Sequence, residues 1–270
     1  MIDFALDDVS TWPAALVAAF EARETLLRAY RTEDLKMQDD DVWRPPRVPS
    51  YVPMALRPAN PYSGARQAFL DELRAEFFGG VALRGFHCTR LTDSEVAAIR
   101  SEGMTPPNAV MLRRRIEALR DAGLITANVA SKLIERNDAD SRSRAGLVYF
   151  VFTRAPLRSE SGVGSLLRFW GGEALYSRHD LDSETGPVLA SIGSPRIVEA
   201  SLPVSTISDG FLDGVMVQQF LAARGADTMG RDFESRTDRP IPSSSIRRVI
   251  SRTDVEFETL TQSATWWQPL

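Results

Sequence analysis

The stretch "VALRGFHCTRLTDSEVAAIRSEGM", residues 81–104, decides how the chain is read. It opens as a short strand-like run, "VALRGFHCT", and passes directly into a helix start. Thr92 and Glu95 stand at capping-box spacing, in which each side chain takes a backbone N–H that the first helical turn leaves without a partner. Val96 and Ile99 supply the buried face of that helix, and Gly103 is its natural stop. The stretch also holds His87, one of only two histidines, and Cys88, the only cysteine. A histidine near a strand end can present a ring nitrogen to a ligand in a cleft. A neutral imidazole can donate to a ribose hydroxyl and accept from a backbone group. Neighbours on a strand face opposite sides, so His87 and Cys88 do not form a nucleophile–base pair.

Around this stretch the rest of the chain falls into place by hydrophobic spacing. Residues 13–31, "PAALVAAFEARETLLRAYR", carry Leu16, Ala19, Phe20, Leu26, Leu27 and Tyr30 at helical intervals. After the polar run "TEDLKMQDDD", six prolines between 45 and 61 predict an irregular or extended connector. Residues 64–78 read as another helix, closed by Gly79 and Gly80. A boundary at residue 78 follows, with 1–78 a helical and proline-rich extension and 79–270 the main domain.

Beyond Gly103, Leu112, Ile116 and Leu119 mark one helix, and Val129, Leu133 and Ile134 a second after Gly123. "GLVYFVFT" at 146–153 is a continuous apolar run that predicts a buried strand. "RIVEASLPV" at 196–204 is a third strand. "PIPSSSIRRVI" at 240–250 is a turn feeding a final one. Strands separated by helices of uneven length, with no strict βαβ rhythm, predict an α+β fold on a mostly antiparallel sheet.

Composition sets outer limits. The 270 residues are 43% hydrophobic, enough for one substantial core. A net charge of −4 argues against an overall basic nucleic-acid clamp. One cysteine excludes an internal disulfide framework, and two histidines leave little for a zinc site of nitrogen and sulfur ligands. No apolar run approaches the ~20 residues needed to span a bilayer. The acidic start "MIDFALDDVSTWP" lacks the basic opening of a secretory signal, so a soluble cytoplasmic protein with no membrane contact is expected. Only Lys36 and Lys132 interrupt a basic complement that is otherwise arginine. There is no Gly-x-Ser-x-Gly elbow, no phosphate loop and no Gly-x-Gly-x-x-Gly fingerprint, so any phosphate contact must come from arginines such as Arg84, Arg90 or Arg154.

With these elements set out, "GFHCTRLTDSEVAAIRSEGM" resembles the opening motif of the ADP-ribosyltransferase superfamily: a strand with His-x-Thr, then a helix ending at a glycine turn. In the His-Tyr-Glu type, a second strand supplies a tyrosine and a late strand or loop a glutamate. "GLVYFVFT" holds Tyr149, and "RDFESRTDRPIPSSSIRRVI" holds Glu234 ahead of an Ile-Pro turn. The resemblance spans residues 81–250. At the glutamate the chain departs from the family's Gln/Glu-x-Glu turn, with Asp232 and Phe233 in front, and the insertion between the first two strands is long and helical.

The resemblance implies an ADP-ribosyltransferase-like fold and NAD as substrate. His87 and Thr89 would hold the adenosine-side ribose, Tyr149 would stack on nicotinamide, and Glu234 would be catalytic. The implied activity is transfer of ADP-ribose to a macromolecular acceptor, protein or nucleic acid, with release of nicotinamide. The setting it suggests is a bacterial toxin or phage-defence effector with an antitoxin or immunity partner. NAD hydrolysis and a non-catalytic nucleotide- or partner-binding module are the alternatives.

A second dense segment, "SGVGSLLRFWGGEALYSRHD" at 161–180, supplies further candidates. Trp170, Glu173, Tyr176 and His179 can all face one cleft, as a loop that covers NAD or receives the acceptor; the alternative is a helix cap with an aromatic core anchor. Glu173 is the second choice for the catalytic carboxylate, and Trp170 and Arg90 join the substrate-binding set. Arg113, Arg114 and Arg115 form a basic triplet with a solvated face expected. "TWWQPL" places two tryptophans at 266 and 267, either docked on the body or facing a partner.

Overall fold

A computed structural model describes residues 2–39, 59–208, 211–228 and 232–270. Six strands form one sheet: β1 (Ile2–Phe4), β2 (Val81–Leu91), β3 (Val148–Val151), β4 (Ser194–Pro203), β5 (Glu234–Thr237) and β6 (Ile246–Ser251). The order is β5-β3-β2-β4-β6, every neighbouring pair antiparallel. β1 adds in parallel to β2, with Ile2 opposite Val81 and Phe4 opposite Leu83. The class is therefore α+β with a largely antiparallel sheet, as the element pattern predicts.

β2 is the spine. It pairs with β4 along ten residues, from Ala82↔Pro203 to Leu91↔Ser194. Both of its faces are covered, which is why its apolar residues do not alternate cleanly. On one face Leu83, Val148, Phe150, Phe152 and Leu202 pack with Leu16, Phe20, Leu27, Phe69 and Phe220. On the other, Phe86, Cys88, Val151, Ile197 and Ile250 pack beneath Leu157, Leu167 and Phe257. A third cluster joins helices 109–121 and 127–135 through Leu112, Ile116 and Leu133 to Trp170, Leu175 and Leu189.

The first core changes the reading of the N-terminal region. Phe4, Leu6, Trp12, Leu16, Phe20, Phe69 and Leu73 lie in the same apolar cluster as the sheet residues Phe150 and Leu202. The boundary at residue 78 therefore does not separate two cores, and β1 extends the sheet itself. The proline-rich connector lies, up to residue 58, outside the described residues.

The helix expected over 13–31 is two helices, 14–21 and 24–39. No glycine or proline breaks them. The turn at Ala22 and Arg23 seats Phe20, whose ring meets Trp12, Phe69 and Phe220 at 5.4, 5.3 and 5.1 Å between centroids. The helix expected at 64–78 is present over 63–77. The helix 93–102 has the capping box in full, and Gly103 closes it at φ 89°, where an added Cβ would meet the carbonyl oxygen of Ile241 at 2.0 Å. Helices 185–191, 212–223 and 255–261 have no counterpart in the sequence reading. Among the described residues no helix is long and apolar enough to cross a membrane.

Candidate functional site

The three residues singled out by order along the chain fall on three neighbouring strands: His87 on β2, Tyr149 on β3 and Glu234 on β5. Phe86 lies opposite Val151, and Val151 opposite Glu234, so one register line crosses all three. Strand alternation then sorts the side chains. Tyr149, Glu234 and Arg236 share a face with Phe86 and Cys88. His87 and Thr89 point to the other face, where His87 lies 5.7 Å from the Phe150 ring.

Alternation alone would separate the imidazole from the carboxylate, but β2 and β3 do not remain paired. β3 matches β5 at four positions and β2 at one, Phe86↔Val151. Past that pair, the His87 ring reaches across the gap, and its Nδ1 donates to the Tyr149 carbonyl oxygen at 2.9 Å. Gly85 makes the approach feasible: a Cβ there would sit 3.0 Å from Leu202, Phe150 and Phe152 at once.

This contact fixes the tautomer. Burial lowers the His87 pKa, the Arg115 charge lowers it further, and the Tyr149 carbonyl only partly opposes them. The ring is neutral at pH 7. Because a carbonyl can only accept, the proton is on Nδ1 and Nε2 is left as an acceptor. The expectation of a ring that accepts from backbone and donates to a hydroxyl is thus reversed. Nε2 makes no hydrogen bond with a described residue and suits a hydroxyl donor. Thr89, two residues on, is buried on the same face.

Tyr149 is 39% exposed inside an otherwise buried strand. Its hydroxyl donates to the Ser143 carbonyl at 2.6 Å, and Arg236 lies over its ring at 5.8 Å. Glu234 is exposed at the start of β5. Its carboxylate acts on Cys88: burial first, and then the Glu234 charge, push the thiol up to about 12. Cys88 is therefore an inert core thiol, facing away from His87.

The second segment divides. Trp170 and His179 are fully buried. Trp170 Nε1 donates to Glu95 at 3.0 Å, and Arg115 stacks on its ring at 4.6 Å. His179 is held by Thr185 Oγ1 at 2.9 Å and the Arg136 carbonyl at 2.6 Å. Neither faces a cleft, because each supplies a polar edge that the small helical core needs. Glu173 and Tyr176 remain outside, joined at 3.2 Å, with Arg144 3.3 Å from Glu173. Arg144 follows Ser143, so Glu173 is tied to the loop that holds the Tyr149 hydroxyl. Gly171 and Gly172 take φ 87° and 60°, the positive-φ turn that starts this helix.

The expected phosphate-binding arginines are engaged elsewhere. Arg84 pairs with Asp3, and Arg154 with Asp7 and Asp8. Arg90 donates to the Ile192 carbonyl at 2.7 Å and the Leu167 carbonyl at 3.4 Å. Arg115, the last of the expected solvated triplet, is instead bound to Glu95 at 2.7 Å. Arg236 was not singled out by sequence, although its position two residues after Glu234 gives it the same strand face. An apolar cavity of about 190 Å³, lined by Phe78, Val204 and Leu212 among others, contains none of these residues.

No protein-family model, curated protein or solved structure gives a significant match to the chain.

Proposed function

We propose that the chain is a NAD-dependent ADP-ribosyltransferase that moves ADP-ribose to a macromolecular acceptor and releases nicotinamide. The observation that carries this reading is the parting of β2 from β3 after Phe86, with His87 bridging the gap to the Tyr149 carbonyl and Glu234 on the next strand. The gap between β2 and β3, with an acceptor nitrogen on one face and an exposed aromatic ring and an exposed carboxylate on the other, offers the kinds of group that hold and split a nucleoside at its sugar.

In this reading His87 Nε2 accepts from a ribose hydroxyl, and the Tyr149 ring packs on nicotinamide. The bond between nicotinamide nitrogen and ribose carbon breaks, its electron pair leaving with the ring. Glu234 stabilises the positive charge that develops on the sugar. The acceptor's nucleophilic atom forms the new bond and releases its proton to solvent through the carboxylate. Nicotinamide leaves neutral, so no further acid is required.

Incubation with NAD and assay of free nicotinamide tests the cleavage. A labelled macromolecule in the same mixture marks transfer, and free ADP-ribose alone marks hydrolysis. Absence of nicotinamide from the wild-type incubation contradicts the reading.

A further inference from the structure

We propose that Arg236 is the phosphate-reading residue of this site, selecting a substrate that carries a phosphate on the ribose being cleaved. The inference rests on the NAD-cleaving reading above. It starts from register: Arg236 lies directly opposite Tyr149, and Glu234 opposite Val151, on the same face of the β3–β5 ribbon. Directly opposed side chains meet, and the guanidinium lies over the Tyr149 ring at 5.8 Å. A guanidinium that neighbours a ring through its carbon spends none of its N–H groups there, and its fork suits two phosphate oxygens at once.

Two further observations leave that fork free. Arg236 makes no side-chain hydrogen bond or ion pair with a described residue; its one polar contact is its own carbonyl, which accepts from Ser208 N at 2.9 Å. By contrast Arg84, Arg115, Arg144 and Arg154 are each ion-paired, and Arg90 is bound to two carbonyl oxygens. Glu234, two residues away on the same face, forms no ion pair with Arg236 within 4.0 Å. Glu234 and Arg236 therefore stand two positions apart on one strand face, about 7 Å between their Cα atoms, and their charged ends do not pair.

Substrate chemistry suits a carboxylate and a guanidinium on one face. In a nicotinamide nucleotide, the carbon that carries the leaving group and the 5′-phosphate lie at opposite ends of a single sugar ring. A carboxylate at one end and an arginine at the other would bracket the ribose. The same guanidinium would equally take a phosphate of the acceptor, and the experiment separates the two sources.

The experiment measures nicotinamide release by wild type, Arg236→Ala and Arg236→Lys, using NAD and, separately, nicotinamide riboside, which lacks the phosphate. Thermal melting confirms that each variant is folded, and Lys covers the case in which Ala is not. The proposal expects Arg236→Ala to raise KM for NAD by about 10-fold or more, Arg236→Lys to restore part of it, and both to change the reaction of nicotinamide riboside far less than that of NAD. Three outcomes overturn it with the NAD reading intact: equal KM for NAD in all three proteins, an equal loss with NAD and nicotinamide riboside, which assigns Arg236 to seating the Tyr149 ring, or unchanged nicotinamide release with loss of transfer alone, which assigns Arg236 to the acceptor. A wild-type protein that releases no nicotinamide overturns both.

Discussion

The imidazole of His87 and the main-chain carbonyl of Tyr149 are joined at 2.9 Å across the point where β2 and β3 separate. The contact holds one ring nitrogen in place and leaves the other as an acceptor. It also makes the His87 ring a brace between two strands, so its protonation matters to the fold.

Burial keeps the His87 pKa below its unfolded value of about 6.5. Below that pH the unfolded chain binds more protons than the folded one, so stability falls as pH drops through the unfolded pKa. Thermal melts between pH 7.5 and 5.5 are expected to show a loss of stability that is smaller in His87→Gln. An identical pH dependence in the two proteins would remove the brace from the account.

Cys88 should resist thiol reagents at pH 8, because its thiol is buried and pushed up to about 12, with the Glu234 charge contributing. A colorimetric thiol assay should find no reactive group in the native protein and one after unfolding. Rapid native labelling would mean that the Cys88 face is open.

Glu95 is the hub that ties the helical insert to the sheet. Its carboxylate accepts from Arg115, Trp170 and the Thr92 backbone. Burial raises its pKa, and Arg115, Thr92 and Trp170 outweigh that, leaving it lowered. Glu95→Ala would strand a buried indole N–H and an arginine, at a cost of about 2–4 kcal/mol. Urea unfolding measures this, and a change under 0.5 kcal/mol, about that of an ordinary surface substitution, would contradict it.

Gly85 leaves room for Phe150 and Phe152, the residues on either side of Val151. Gly85→Val is expected to cost about 1–3 kcal/mol by overpacking. Because the displaced rings are on β3 and at its end, the variant should also weaken any ligand that binds beside Tyr149. Unchanged stability in denaturant would show that the strands yield at no cost.

Local rules were legible where chemistry is local. Thr92, Glu95 and Gly103 announce their helix, and the apolar runs announce β2, β3 and β4. Their order sets Glu234, Tyr149 and His87 on adjacent strands. What sequence did not disclose depends on partners distant in the chain. Cleft and core readings of Trp170 and His179 stay open until Glu95 is seen to take the indole N–H, Arg115 to cover the indole face, and Thr185 and the Arg136 carbonyl to hold the imidazole. The three residues of β1 are too short a signal to read as a strand, and only pairing with Val81–Leu83 defines them. The break at Ala22 serves the packing of Phe20, which no local pattern records. Arg236 follows from simple alternation once Glu234 is placed on a strand.

The most direct test compares Glu234→Gln with Glu173→Gln in the release of nicotinamide from NAD, each checked for wild-type melting. The account predicts that wild type and Glu173→Gln release nicotinamide, while Glu234→Gln is slowed by about 10²–10³-fold or more. Full activity in Glu234→Gln, with loss in Glu173→Gln, would contradict the assignment of the β5 carboxylate. A silent wild type would contradict the site itself.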